Sequence, residues 1–276
     1  MSEISASDVK RLRDMTGAGM MDCKKALTEA NGDFDTAIEV LRKHGQKLAA
    51  KRTDREAKEG VVIAKVSEDR KRGVIIRLSC ETDFVSKNDR FVELANKFAD
   101  IALNAFPANL EEFLALPFDD ITVAGKVEEQ VGVIGEKLEL SDYEKIEAEM
   151  VSPYIHMGNR AAVLIGLNKY GEAFYEAGRD VAMQVAAMRP IAVDKNGVDA
   201  SVLEKEIEIG KEQARAEGKP EAMLQKIAEG KLQKFFKEST LLPQQFVKDS
   251  SVTVEGYLKS FDKDLTVTSF KHVALS

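Results

Sequence analysis

The sequence is poor in the residues that carry most enzymatic chemistry. Its 276 residues include only 3 His, 2 Cys and no Trp. So few histidines leave little material for acid–base catalysis or for metal ligation. The two cysteines, Cys23 and Cys80, are too few for a disulfide framework or a zinc site made of cysteines, so we expect a reduced, cytoplasmic protein. The composition therefore points away from an enzyme.

Features typical of several other protein classes are also missing from the sequence. It contains no run of about 18 apolar residues, which argues against a transmembrane helix, and its start has no apolar signal core. Neither G-x-x-x-x-G-K-[ST] nor a G-x-G-x-x-G between a strand and a helix occurs, so no phosphate-binding loop is predicted. The net charge of −7 argues mildly against a dedicated nucleic-acid binder.

The first part of the sequence has the pattern of a small three-helix bundle. Ser5 and Asp8 have the spacing of a capping box, which predicts the start of the first helix. Residues 16–19, Thr-Gly-Ala-Gly, interrupt the helical pattern, because glycine permits a tight turn. The third helix is predicted to end at Gly45. We therefore expect a separate unit at residues 1–45.

A basic segment follows the predicted bundle. Residues 42–58 contain seven Lys and Arg side chains and two acidic ones, Asp54 and Glu56. One interpretation is a solvated helical linker at residues 46–59, and the other is a nucleic-acid patch, which predicts steeply salt-dependent binding. The acidic remainder of the chain favours the linker.

The rest of the chain has the pattern of a duplicated α/β core. Alternating apolar residues before and after a polar turn predict a β-hairpin, and a helical pattern follows it. This order occurs at about residues 60–106 and again at 146–189. We expect one subdomain at residues 60–140, which includes the Thr-Asp-Phe-Val segment, and a second at 141–276.

A charged helical hairpin is predicted within the second subdomain, at about residues 195–236. Its two helices are interrupted by Gly-Lys-Pro at residues 218–220. Apolar residues are sparse in both helices, which is typical of a projecting antiparallel pair. The predicted fold class is therefore α+β: a small bundle, a duplicated hairpin-and-helix core, and a projecting helical hairpin.

The most unusual local segment consists of Thr82, Asp83, Phe84 and Val85. It places a carboxylate beside a large aromatic residue, directly after a predicted strand. In one interpretation Asp83 caps the next helix while Phe84 packs beneath it. In the other, Phe84 inserts into a pocket of a partner protein while Asp83 competes for hydrogen bonds there. Local context alone favours the first interpretation.

Two other residues are candidates for chemistry or binding. Cys80 ends a strand of the buried type and has no neighbouring His, which favours a structural thiol over a nucleophile. A cysteine-dependent enzyme would show activity that is sensitive to alkylation. His156 lies in a turn with Gly158 and Arg160, where a binding role and a plain surface position are both open.

Several of these segments together resemble the bacterial elongation factor Ts family. Residues 15–27, Met-Thr-Gly-Ala-Gly-Met-Met-Asp-Cys-Lys-Lys-Ala-Leu, resemble its N-terminal motif. Residues 82–85 match its Thr-Asp-Phe-Val motif, and residues 156–160 resemble its His-x-Gly-x-Arg turn. Further matches occur at residues 218–220, 229–231, 234–235 and 245–247. The resemblance covers nearly the whole chain, and the first motif is long and specific.

This resemblance implies a translation elongation factor that acts on elongation factor Tu. Such a protein promotes GDP release by displacing Mg²⁺, after which GTP binds. The resemblance implies that the N-terminal bundle is ubiquitin-associated-like and that Arg13, Met20 and Met21 anchor it to the partner. His156 would lie near a second contact region, and residues 82–85 would displace the Mg²⁺.

The same resemblance implies further expectations about ligands and partners. The chain is expected to need no catalytic group, metal or cofactor, since the nucleotide and Mg²⁺ belong to the partner. No contact with nucleic acid or membrane is expected, and the helical hairpin is a candidate homodimer contact. Some family members carry a further C-terminal helical module, and contacts made by that module are expected to be absent here.

An alternative function from another class is a ubiquitin-associated-like adapter. Such an adapter would tether its partner through the N-terminal bundle without any exchange activity. It predicts binding with no change in the rate at which nucleotide leaves the partner.

Overall fold

The computed structural model describes residues 4–275, and residues 1–3 and 276, at the outer ends of the first and last expected domains, lie outside the described residues. The described chain is a mixed α+β fold, as predicted. Its helices are α1 (Ala6–Thr16), α2 (Met20–Glu29), α3 (Phe34–Lys51), α4 (Asp83–Ser86), α5 (Asp89–Ala105), α6 (Leu110–Ala115), α7 (Val123–Ile134), α8 (Glu172–Met188), α9 (Ala200–Ala216), α10 (Glu221–Ser239) and α11 (Val254–Lys259). Its strands are β1 (Glu59–Val66), β2 (Arg72–Cys80), β3 (Pro117–Phe118), β4 (Ile121–Thr122), β5 (Glu139–Glu147), β6 (Met150–Ile155), β7 (Ala161–Leu167), β8 (Gln245–Phe246), β9 (Asp249–Thr253) and β10 (Val267–Ala274).

Helices α1 to α3 form the N-terminal bundle. The predicted capping box is confirmed: Ser5 Oγ accepts the Asp8 N–H at 3.1 Å, and the Asp8 carboxylate accepts the Ser5 N–H at 3.3 Å. Gly17 ends α1 with a φ of 76°, a conformation that glycine adopts without steric cost. Leu12 and Leu27 are fully buried where the three helices meet.

The prediction that the third helix ends at Gly45 is wrong, because this glycine packs against another helix. Helix α3 continues to Lys51. A side-chain carbon placed at Gly45 would come within 2.8 Å of the Glu128 carbonyl oxygen, and one at Gly132 within 2.8 Å of the Gly45 Cα. The two glycines thus let α3 and α7 approach backbone to backbone. The boundary expected after residue 45 falls inside one helix.

The basic segment at residues 42–58 is largely paired within the molecule. Arg42 lies 3.0 Å from an Asp120 oxygen and 3.2 Å from a Glu129 oxygen. Arg52 and Arg55 both contact the Glu81 carboxylate, at 2.6 and 2.9 Å. These pairs connect α3, and the residues after it, to the core. The linker expected at residues 46–59 is therefore helical only at its start, and two of its basic side chains, Arg52 and Arg55, pair with the core.

The core consists of two three-stranded antiparallel sheets packed face to face. The strand order is β1-β2-β5 in the first sheet and β10-β7-β6 in the second. Val62 and Ile75 of the first sheet meet Val151 and Leu164 of the second in one buried cluster. Because strand side chains alternate between faces, the opposite faces remain free for helices. Helices α5 and α7 cover the first sheet, and α8 and α11 cover the second.

The predicted repeat of a hairpin followed by a helix is present in both halves of the core. Strands β1 and β2 precede α5, and β6 and β7 precede α8. Residues 146 and 147, expected in the second unit, instead belong to β5, which pairs with β2 in the first sheet. The expected division at residue 140 therefore lies within a strand of the first sheet.

Helices α9 and α10 form the predicted antiparallel hairpin and pack mainly on each other. They approach closely at Gly210, where an added side-chain carbon would lie 3.1 Å from the Ala228 Cα. The base of the hairpin is fixed by the Ile191 N–H, which donates to the Ser239 carbonyl at 2.9 Å. Of the helices in residues 4–275, none combines the length and the apolar character that a membrane crossing needs.

Candidate partner-binding site

The Thr-Asp-Phe-Val segment forms a tight turn between β2 and α5. Helix α4 is a single turn, and Thr82 occupies the position before it. The next helix, α5, is capped by Asn88, whose side chain accepts the Arg90 N–H at 3.0 Å. The interpretation in which Asp83 caps that helix and Phe84 packs beneath it is therefore wrong, since a separate helical turn takes up these residues.

Helix α4 presents an aromatic ring and a carboxylate to the solvent. The Phe84 side chain is 86% exposed, the largest exposed fraction among the large apolar residues described. The Asp83 carboxylate lies 2.6 Å from Lys87 Nζ, and this contact lowers the pKa of Asp83. Val85, in contrast, packs against the core of the first sheet. An exposed ring on a short, anchored turn is typical of a side chain that a partner buries.

Two surface grooves lie on either side of the Phe84 ring. One has a volume of about 630 Å³ and is bordered by Glu59, Thr82, Phe84 and Arg160. The other, of about 320 Å³, is more apolar and is bordered by Phe84, Val133 and further apolar side chains of α5 and α7. Phe84 borders both grooves and lies between them.

The turn at residues 156–160 lies at the far side of the larger groove. Gly158 has a φ of 73°, and Arg160 Nη1 lies 3.2 Å from a Glu59 oxygen on the first sheet. His156 is exposed, and its Nδ1 lies 3.1 Å from the Tyr154 hydroxyl. The structure thus brings this turn to the groove beside Phe84 through Gly158 and Arg160, whereas His156 lies outside the groove lining.

The N-terminal motif also reaches this surface. Met20 and Met21 are 44% and 65% exposed, and Arg13 is exposed as well. The turn between α1 and α2 rests on α7, since a side-chain carbon at Gly17 would lie 3.5 Å from Val133 Cγ1. Val133 also borders the apolar groove beside Phe84. The turn of the N-terminal motif is therefore joined to the groove beside Phe84 through Val133.

Two carboxylates behind the Phe84 turn were not identified from the sequence. The Glu136 carboxylate accepts the Thr82 hydroxyl at 2.6 Å, the Thr82 N–H at 3.0 Å and the Glu81 N–H at 3.1 Å. The Glu81 carboxylate accepts the Lys137 N–H at 2.6 Å. The sequence contains no local signal for this arrangement, because Thr82 and Glu136 are 54 residues apart.

Cys80, which directly precedes this network, has an unreactive environment. Burial, and then the nearby carboxylates Glu136 and Glu59, raise the pKa of its thiol to about 12. The thiolate required of a nucleophile is therefore not formed at neutral pH, in agreement with the structural role predicted for Cys80. Within residues 4–275, no group of three or more His, Cys, Asp or Glu side chains is arranged to hold a metal ion.

Comparison with known proteins gives a consistent result along the whole chain. The family described as "Elongation factor TS" matches residues 81–276. Relatives named elongation factor Ts from Flavobacterium psychrophilum and Christiangramia forsetii are 56% and 54% identical over 275 residues, with 100% of both chains covered in each case. Another, from Chloroherpeton thalassium, is 45% identical and covers 97% of this chain and 95% of its own.

Proposed function

We propose that this chain, which belongs to the elongation factor Ts family of translation elongation factors, binds elongation factor Tu carrying GDP and promotes release of the nucleotide. The observation that supports this most directly is the Phe84 ring, 86% exposed on a one-turn helix between two grooves. An aromatic side chain held out in this way loses contact with water when a partner encloses it, and such residues contribute strongly to binding.

The proposed mechanism requires no chemical group in this chain beyond shape, one aromatic ring and one carboxylate. In elongation factor Tu, Mg²⁺ is proposed to bridge protein ligands to the nucleotide phosphates. Mg²⁺ demands near-ideal octahedral geometry of its oxygen ligands. Phe84 is proposed to enter between elements of elongation factor Tu, while Asp83 accepts a hydrogen bond from a donor there. A small displacement of those elements is then enough to disrupt the Mg²⁺ coordination. The phosphates then lose their counter-ion, and GDP leaves faster.

The remaining site residues are proposed to hold the two proteins together while this happens. Met20 and Met21 are exposed. The methionine side chain is flexible and adapts well to an irregular apolar surface. Arg13 lies on the adjoining helix, and His156 marks a second contact region. The nucleotide and Mg²⁺ belong to the partner, so this chain is proposed to act without a cofactor and without chemistry of its own.

Thermodynamic linkage determines what happens after GDP has left. If this chain weakens nucleotide binding by some factor, then bound nucleotide weakens binding of this chain by the same factor. Incoming GTP therefore expels the exchange factor, and the direction of exchange follows the nucleotide concentrations. Homodimerisation through α9 and α10 stays a prediction that this mechanism does not require.

Exchange activity is tested by the release of a fluorescent GDP from elongation factor Tu. We expect the rate constant of release to rise with the concentration of this chain and then to saturate, because the complex releases GDP faster than free Tu does. The adapter alternative predicts binding in a pull-down with an unchanged rate constant. That second result would contradict the proposed function while leaving the partner correct.

A further inference from the structure

Helix α4, which carries Phe84, is too short to keep its orientation by its own helical hydrogen bonds. It is four residues long, and the Thr82 side chain makes no capping hydrogen bond to it. A single helical turn is unstable in isolation, and the exposed Phe84 ring contributes little burial that could anchor it. Val85 holds α4 on the core of the first sheet, and the contacts of the residues on either side of α4 complete the set that fixes the direction of the ring.

Glu136 makes the main polar contacts on the N-terminal side of α4. It lies in the connection from α7 to β5, directly after Gly135, which ends α7 with a φ of 80°. One carboxylate oxygen accepts the N–H groups of Glu81 and Thr82 at 3.1 and 3.0 Å, and the other accepts the Thr82 hydroxyl at 2.6 Å. Hydrogen bonds to an ionised acceptor are about twice as strong as neutral ones.

The contact between the two segments is reciprocal. While Glu136 accepts N–H groups from residues 81 and 82, Glu81 accepts the Lys137 N–H at 2.6 Å. Arg52 and Arg55 hold the other positions around the Glu81 carboxylate. Two carboxylates therefore fasten the start of α4 to the end of α7 in both directions, and α3 is joined to the same point.

We propose that Glu136 is a positioning residue for Phe84. By holding Thr82 at the start of α4, it fixes the direction in which the aromatic ring leaves the surface. This inference rests on the proposed function, in which Phe84 must enter the partner along a defined path. If the Phe84 ring has no fixed orientation, the rest of the contact surface still binds the partner. The ring then seldom reaches the geometry that releases GDP.

The test compares two variants of Glu136 in the GDP-release assay. Glu136→Ala removes all three contacts, and we expect the maximal rate constant to fall about tenfold, with the half-saturating concentration changed less than about twofold. Glu136→Gln should restore most of the rate, because its amide oxygen accepts both N–H groups and its amide nitrogen donates to the Thr82 hydroxyl. A role confined to folding would not produce this division between rate and binding.

Glu139→Ala is the matched control. Its carboxylate lies three residues further along the same segment, 3.5 Å from Lys137 Nζ, and makes no hydrogen bond to residues 81 and 82. We expect this variant to stimulate GDP release at the wild-type rate. Circular dichroism at the assay temperature establishes that each variant is folded. In the Glu136→Ala background, Phe84→Ala should lower the maximal rate constant of GDP release by a much smaller factor than in the wild type, because both changes disable the same element.

The outcomes separate this inference from the proposed function. If Phe84→Ala slows release and Glu136→Ala does not, the positioning role is wrong and the role of Phe84 stands. If Glu136→Ala raises the half-saturating concentration at an unchanged maximal rate, Glu136 serves docking and the inference is overturned. If Phe84→Ala itself leaves release unchanged, the assignment of Phe84 fails first, and the positioning role fails with it.

Discussion

Two neighbouring carboxylates, Glu81 and Asp83, have quite different surroundings. Asp83 is paired with the exposed Lys87 and is accessible to a partner. Glu81 is only 16% exposed, and it accepts hydrogen bonds from Arg52, Arg55 and the Lys137 amide. The first carboxylate is therefore accessible, as its proposed role requires, and the second joins the bundle helix, the Phe84 turn and the α7–β5 connection.

The surroundings of Glu81 predict a pH dependence of stability. Burial alone would raise its pKa, but the Lys137 amide and the two arginines outweigh it and lower the pKa to about 2. Because this is below the value of about 4.3 in an unfolded chain, the ionised carboxylate stabilises the fold above about pH 5. That contribution is lost as the pH falls toward 2. We expect Glu81→Gln to lower the free energy of unfolding at pH 7 and to flatten its decline on acidification.

Urea unfolding at a series of pH values measures this effect. Glu93→Gln, at an exposed position on α5, is the control and should follow the wild-type curve. A Glu81→Gln variant whose stability declines as steeply as that of the wild type would show that the Glu81 contacts contribute nothing in solution.

At the scale of elements, the contact between α3 and α7 fixes the bundle on the core. We expect Gly45→Ala to lower the free energy of unfolding by about 1–3 kcal/mol, because the new methyl group would meet the Glu128 carbonyl oxygen at 2.8 Å. Gly230→Ala on α10 is the matched control. Beyond its own helix backbone and chain neighbours, no atom of the described residues lies within 4 Å of the added carbon, so this change should stabilise the helix by about 0.5–1 kcal/mol. Denaturant unfolding measures both, and equal stabilities for the two variants would contradict the close helix contact.

Elements whose signals are local could be predicted from the sequence. The capping box of Ser5 and Asp8 lies within one helical turn, and the order of a hairpin followed by a helix depends on residues that are close in sequence. Gly45 was misassigned because a glycine can either end a helix or permit a close helix contact. The deciding neighbour, Gly132, is distant in sequence. The partner of β5 could not be predicted for the same reason, since strand pairing depends on non-local contacts.

The candidate site shows the same division between local and distant information. The Thr-Asp-Phe-Val segment was identified as unusual from its residue types alone, but two orientations of Phe84 were open. The choice depends on Asn88, which caps α5 and leaves Asp83 and Phe84 to a separate turn. Glu136 could not be identified at all, because a lone glutamate has no distinguishing pattern until the chain brings it to Thr82.

At the scale of the whole molecule, the fold brings segments of three motifs that are distant in sequence close to one another. The turn at Gly17 contacts α7, α7 borders the groove beside Phe84, and the second groove leads from Phe84 to Arg160. Helix α3 packs closely on α7 at Gly45, and the two sheets pack face to face, so the segments that carry the motifs belong to elements in direct contact. The scarcity of His and Cys is consistent with a protein that acts by shape on the nucleotide site of its partner.

The most direct test of the central claim is the maximal rate constant of fluorescent GDP release from elongation factor Tu, measured with the wild type and with Phe84→Ala. Tyr170→Ala is the control, because Tyr170 is 57% exposed and lies in the corresponding hairpin-to-helix connection of the second sheet. We predict that Phe84→Ala lowers the rate constant at least about tenfold, equivalent to about 1.4 kcal/mol of barrier, while Tyr170→Ala retains it. Removal of Mg²⁺ with EDTA should shrink the difference, since no ion remains to be displaced. Equal rate constants for Phe84→Ala and the wild type in the presence of Mg²⁺ would contradict the account.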